Sequence, residues 1–160
     1  MQTLNVYRII EGTSVDGPGL RTSIYFAGCR HHCEGCHNPD TWNPEGGRPM
    51  TIAEIMEIVK FNDFNVTFTG GDPLLQVEAL CVLADEIRKA GKTIWCYTGY
   101  SYEEILGNNA LAPILDRIDV LVDGRFELAL RDIGLKFRGS SNQRIIDCNK
   151  SQNVPILLSS

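Results

Sequence analysis

With 160 residues, 43% hydrophobic and 22% charged, the chain is long enough to bury one core without disulfides and is not composed like a disordered segment. A net charge of −5 gives no general field for nucleic acid. The opening MQTLNVYRII has no basic stretch leading into a long apolar core, and no apolar run approaches the ~18 residues of a membrane span, so a cytoplasmic protein without membrane or nucleic-acid partners is expected.

In chain order, Thr22–Ala27 reads as a strand that ends just before Cys29. Thr51 to Lys60 reads as a helix, with Thr51 and Glu54 as a capping box and Ile52, Ile55, Met56 and Val59 on one face. Asn65–Thr69 is a second strand, broken by Gly70-Gly71-Asp72-Pro73. Helical spacing runs from Leu74 to Ala90 and stops at Gly91. Thr93–Thr98 is a third strand, Ser101 to Leu106 a short helix, and Ile118–Val122 a fourth strand halted at Asp123-Gly124. Arg144–Asp147 is one more candidate strand, and Ser151 onward reads as a tail.

Strands alternating with helices predict βαβ units on a mostly parallel sheet. Four clear strands are too few to close an eight-stranded barrel, so an open, partial (β/α) barrel is expected. One domain over residues 1–160 accounts for the pattern, with a core of about 16–147 and a tail of 148–160. The unusual chemistry falls where each strand ends: Cys29, then Gly70-Gly71-Asp72, then Thr98-Gly99-Tyr100, then Asp123-Gly124-Arg125. That is the ligand-binding edge of parallel α/β sheets.

Six cysteines invite a disulfide reading, but nothing in the chain indicates secretion. Cys29, Cys33 and Cys36 crowd into eight residues as C-x-x-x-C-x-x-C, whereas Cys81, Cys96 and Cys148 stand apart. Crowded cysteines of this kind bind metal. Three thiolates on a 4Fe–4S cube leave one iron open to a small-molecule ligand. Zinc with His31, His32 or His37 as fourth ligand is the competing reading of the loop alone; the motifs at the other strand ends favour iron–sulfur. His31 and His32 are expected to be solvated loop residues. Cys81 and Cys96 are expected in the core and Cys148 as a bystander.

These motifs resemble those of the radical S-adenosylmethionine enzymes. The match comprises the three-cysteine loop with Gly35-Cys36-His37-Asn38, Asp16-Gly17-Pro18-Gly19-Leu20-Arg21, and Thr69-Gly70-Gly71-Asp72-Pro73-Leu74. Tyr97-Thr98-Gly99-Tyr100, Val122 to Phe126 and Arg138 to Arg144 are similar to stretches of the activating proteins of anaerobic ribonucleoside-triphosphate reductases in particular.

The resemblance implies one 4Fe–4S cluster on Cys29, Cys33 and Cys36, and S-adenosylmethionine bound by Gly70, Gly71, Asp72, Asp123, His37 and Asn38. It implies a 5′-deoxyadenosyl radical that takes hydrogen from a glycine of the partner reductase, leaving a stored glycyl radical. The protein partners implied are that reductase and an external one-electron donor such as flavodoxin. A radical S-adenosylmethionine enzyme acting on another glycyl-radical enzyme or on a small molecule is the alternative activity, and a non-catalytic zinc or iron–sulfur binding module is a more distant one.

Overall fold

The computed structural model describes residues 2–29, 31, 42–43, 46–151 and 154–158. Among these residues seven strands form one sheet: β1 (Thr3–Thr13), β2 (Arg21–Phe26), β3 (Arg48–Thr51), β4 (Asn65–Gly70), β5 (Ile94–Tyr97), β6 (Val120–Asp123) and β7 (Arg144–Asp147). Their order is β3-β1-β2-β4-β5-β6-β7. The middle strands β2, β4, β5 and β6 are parallel and adjacent in chain order. Antiparallel pairs flank them, with β1 against β2 and β3 on one side and β7 against β6 on the other.

Among the described residues three α-helices, α1 (Ile52–Asn62), α2 (Val77–Lys89) and α3 (Tyr102–Leu106), connect these strands. Side chains alternate along a strand, and the alternation here sorts two layers. Ile24, Phe26, Val66, Phe68, Ile94, Cys96 and Leu121 point to the face covered by all three helices, where Ile55, Val59, Leu83, Ile87 and Ile105 join them in one core. Trp95, Val120, Val122 and Ile145 form a smaller cluster on the other face, with Tyr97 and Phe137 packed against it. The α-helices on one face, with the parallel strands β2, β4, β5 and β6 laid down in one direction across the sheet, are the winding of an open barrel rather than of a doubly wound sheet.

The helix boundaries follow the sequence. Thr51 Oγ1 accepts from the Glu54 amide at 3.1 Å while the Thr51 amide donates to Glu54 at 2.9 Å, the capping box read from the chain. Ser101 and Glu104 repeat that arrangement at α3. The helix expected from Leu74 begins as a short 3-10 turn over Pro73–Gln76, capped by Asp72, before α2 proper.

β1 and β3, which periodicity does not reveal, are outer additions. β1 buries only Leu4 and Val6 and is otherwise exposed or half-exposed, and β3 is a four-residue edge carrying Pro49. The segment read as a tail returns to the sheet. Leu157 bridges Ile146, and the Asp147 amide donates to the Ile156 carbonyl at 2.8 Å. Cys96 is buried in the core, and Cys81 and Cys148 pack against it. No helix among the described residues is long and apolar enough to cross a membrane.

Candidate functional site

The parallel strands all end on one edge, and the backbone there is sewn together. After β2 the chain turns through Gly28, at φ 106°, into Cys29, whose amide donates to the Trp42 carbonyl at 3.0 Å. That bond closes the base of the cysteine loop. After β4, Gly70 takes φ 105°. A Cβ at Gly70 would lie 2.4 Å from the Phe26 amide nitrogen, so only glycine lets the turn lie this close to β2. The Gly71 amide then donates to the Phe26 carbonyl at 2.9 Å, and the Asp72 amide to the Gly28 carbonyl at 2.7 Å.

A cavity of about 360 Å³ opens at this junction, with Cys29, Thr69, Gly70, Gly71 and Gly124 among its walls. A larger one of about 600 Å³ adjoins it over the end of β6, sharing His31, Gly99, Gly124 and Phe126. Cys29 is half-buried at this junction, which suits a thiolate ligand of a cluster facing the cavity. Turn backbone free of side chains beside it suits a small polar ligand on that cluster. Cys33, Cys36, His37 and Asn38 lie outside the described residues. Asp16, from the Asp16-Gly17-Pro18-Gly19 turn, also lines the smaller cavity. Its carboxylate accepts from the Tyr25 hydroxyl at 2.7 Å, and burial together with this bond pushes the Tyr25 phenol well above its ordinary range.

The two acidic residues at the strand ends are engaged by the protein. Asp72 is buried. It accepts from the Leu74 amide at 3.0 Å, the Thr98 hydroxyl at 2.9 Å, the Gly99 amide at 3.0 Å and the imidazole of His31 at 2.7 Å. With these partners its side chain organises the edge, and the backbone around it is what faces the cavity. Asp123 is likewise buried. It accepts from the Tyr102 amide at 2.7 Å and from Arg144 at 3.1 and 2.5 Å. Arg144 also reaches Glu103 at 2.5 Å. Hydrogen bonds to Asp123 and then Glu103 push the guanidinium pKa upward, and the bond to Arg144 draws the Glu103 carboxyl downward. Asp123 therefore presents a neutralised, braced pair to the larger cavity rather than an isolated carboxylate.

The structure corrects one expectation from the sequence. His31, read as a solvated loop residue, is only 6% exposed at its side chain. It is held by Asp72, by Arg125 at 2.9 Å, and by an edge-on contact with Tyr100. Arg21 is buried as well. Its guanidinium is buried against Trp95, donates to Thr67 and to the Val66 carbonyl, both at 2.9 Å, and has its pKa lowered by burial.

A family model described as a 4Fe-4S single cluster domain matches residues 15–146. The anaerobic ribonucleoside-triphosphate reductase-activating protein of Escherichia coli (strain K12) is 40% identical over 152 residues, covering 88% of this chain and 96% of that one. The protein of the same name from Enterobacteria phage T4 is 37% identical over 150 residues, covering 89% and 93%. Among solved structures, QueE from Escherichia coli is similar with a TM-score of 0.54 at 14% identity, over 76% of this chain and 70% of that chain, a likeness of fold. With relatives this similar over nearly their full length, the chain belongs to the family of anaerobic ribonucleoside-triphosphate reductase-activating proteins.

Proposed function

We propose that this chain activates an anaerobic ribonucleoside-triphosphate reductase by installing a glycyl radical on it, using a 4Fe–4S cluster held by Cys29, Cys33 and Cys36 together with S-adenosylmethionine. The observation that carries the reading is the meeting of Cys29 with the Gly70-Gly71 turn at one cavity, in a chain whose relatives are named for activating the anaerobic reductase. Held by Cys29, Cys33 and Cys36, a reduced cluster would supply the one electron needed for reductive cleavage of the S-adenosylmethionine sulfonium.

The chain's own residues bind and shield. Gly70 and Gly71 offer main-chain acceptors to the methionine ammonium at close range. His37 and Asn38 are proposed to contact the same cofactor from the cysteine loop. Asp123, braced by Arg144, faces the adjoining cavity, where the adenosyl end would lie.

The mouth is flanked by apolar side chains left in water. Val15, a wall of the smaller cavity, is 74% exposed, and Ile133 is 90% exposed, on a loop whose Leu135 and Phe137 line the same cavity. Such a rim suits a peptide loop of a larger protein that would complete the exclusion of water around the radical. A one-electron donor such as flavodoxin completes the scheme.

Anaerobic reconstitution tests the reading. The reduced protein should cleave S-adenosylmethionine to methionine and 5′-deoxyadenosine, and Cys29→Ala, Cys33→Ala and Cys36→Ala should each abolish cleavage. Cleavage that persists in these variants would overturn the ligand assignment.

A further inference from the structure

We infer that His31 is a positioning residue that latches the cysteine loop onto the strand edge, and thereby sets where S-adenosylmethionine meets the cluster. This rests on the proposed cluster at Cys29, two residues earlier in the chain. His31 belongs to the loop, yet its ring is fastened to three strand ends far away in sequence. Its Nε2 lies 2.7 Å from Asp72 after β4. Arg125, after β6, donates from Nε to His31 Nδ1 at 2.9 Å. Tyr100, after β5, meets the ring edge-on at a centroid distance of 4.8 Å.

The proton positions follow from these partners. Arginine only donates, so Nδ1 is the acceptor and Nε2 carries the hydrogen that Asp72 receives. Each ring nitrogen thus has its own partner, Asp72 on one side and Arg125 on the other.

The edge is shaped to receive this ring. A Cβ at Gly99 would stand 2.5 Å from His31 Cδ2, so the Thr98-Gly99 turn has no side chain where the imidazole sits. Asp72 belongs to the turn that follows Gly70 and Gly71, and it is fixed independently by Leu74, Thr98 and Gly99. A rigid acceptor beside the cofactor turn, bonded to a residue of the cysteine loop, couples the two halves of the site. Groups that orient ligand-bearing segments in this way commonly govern affinity without touching the reacting atoms.

The test uses the full chain after anaerobic reconstitution, without reductase, and measures iron content, S-adenosylmethionine affinity and the change that S-adenosylmethionine produces in the electron paramagnetic resonance spectrum of the reduced cluster. His31→Ala should load iron but bind S-adenosylmethionine about tenfold more weakly and show a diminished spectral change. His31→Gln, whose amide can donate to Asp72 and accept from Arg125, should restore most of both. Wild-type affinity and an unchanged spectrum in His31→Ala would overturn the inference, as would lowered thermal stability with affinity intact.

Should His31→Ala fail to fold or load iron, Arg125→Met decides. It removes only the outer, exposed arm of the latch and should weaken binding by a smaller factor, whereas unaltered binding would overturn the inference. A wild-type chain that takes up no iron would instead overturn the cluster reading on which the latch rests.

Discussion

The Asp72 amide donates to the Gly28 carbonyl at 2.7 Å, fastening the turn after β4 to the residue just before Cys29. Two motifs more than forty positions apart in the chain are thereby built into one piece of backbone. The Gly70-Gly71 turn and the start of the cysteine loop share a rigid base, and Gly70 is what permits the contact.

Gly70→Ala should therefore be costly. The new Cβ would meet β2 backbone atoms, at 2.4 Å from Phe26 N and 2.6 Å from Phe26 O, and φ would remain positive. Backbone strain and overpacking together predict a loss of about 3 kcal/mol. Gly91→Ala is the control: its φ is also positive, at 82°, but nothing lies within 4 Å of its Cβ, so about 1 kcal/mol is expected. Urea denaturation of the two variants checks the contrast, and equal losses would refute it.

Much of this site is legible in the amino-acid sequence. The chain shows β2, β4, β5 and β6 as apolar runs because both faces of each are covered, by helices or by the smaller cluster. It also shows the special residues bunched where those runs end. β1 escapes detection because its outer half alternates only weakly between buried and exposed, and β3 because four residues with a proline carry no periodicity. His31 escapes for a different reason. Its burial is created by Asp72, Gly99 and Arg125, and no local pattern around residue 31 encodes such distant partners. Asp72 and Asp123 stand out in the sequence as special, but whether a carboxylate faces a ligand or a protein donor depends on geometry that spacing does not carry.

The Asp123–Arg144 pair ties β6 to β7 and, through the Tyr102 amide, holds the start of α3. Arg144→Met would leave a carboxylate that is 2% exposed at its side chain without its cation. The expected cost is about 3 kcal/mol. Adding Asp123→Asn should recover part of that loss, because the buried charge is then gone. Strictly additive losses in the double variant would show that the two side chains act independently.

Alkaline pH should destabilise the protein through its buried thiols. Burial, then the nearby Asp147, pushes the Cys148 pKa up to about 12, against about 8.5 for an unperturbed thiol. Because the folded value is the higher one, the contribution to stability is fully present below the unfolded pKa. It is lost as the pH rises from there through about 12. Cys96, raised well above its ordinary value by burial, acts in the same direction. Cys148→Ala should flatten the fall in stability measured between neutral pH and about pH 10, and an unchanged slope would contradict the assignment. For the same reason Cys148 should react slowly with iodoacetamide at about pH 8 in the native state and readily in urea.

Radical transfer is measured by joining the reconstituted, reduced protein to its anaerobic reductase and S-adenosylmethionine and recording the electron paramagnetic resonance spectrum. A glycyl radical is expected on the reductase, lost when the radical glycine is replaced by alanine although the two proteins still bind, and lost with Cys29→Ala in the activating chain. Stoichiometric consumption of a small metabolite with no reductase present, and no glycyl radical when it is added, would contradict it.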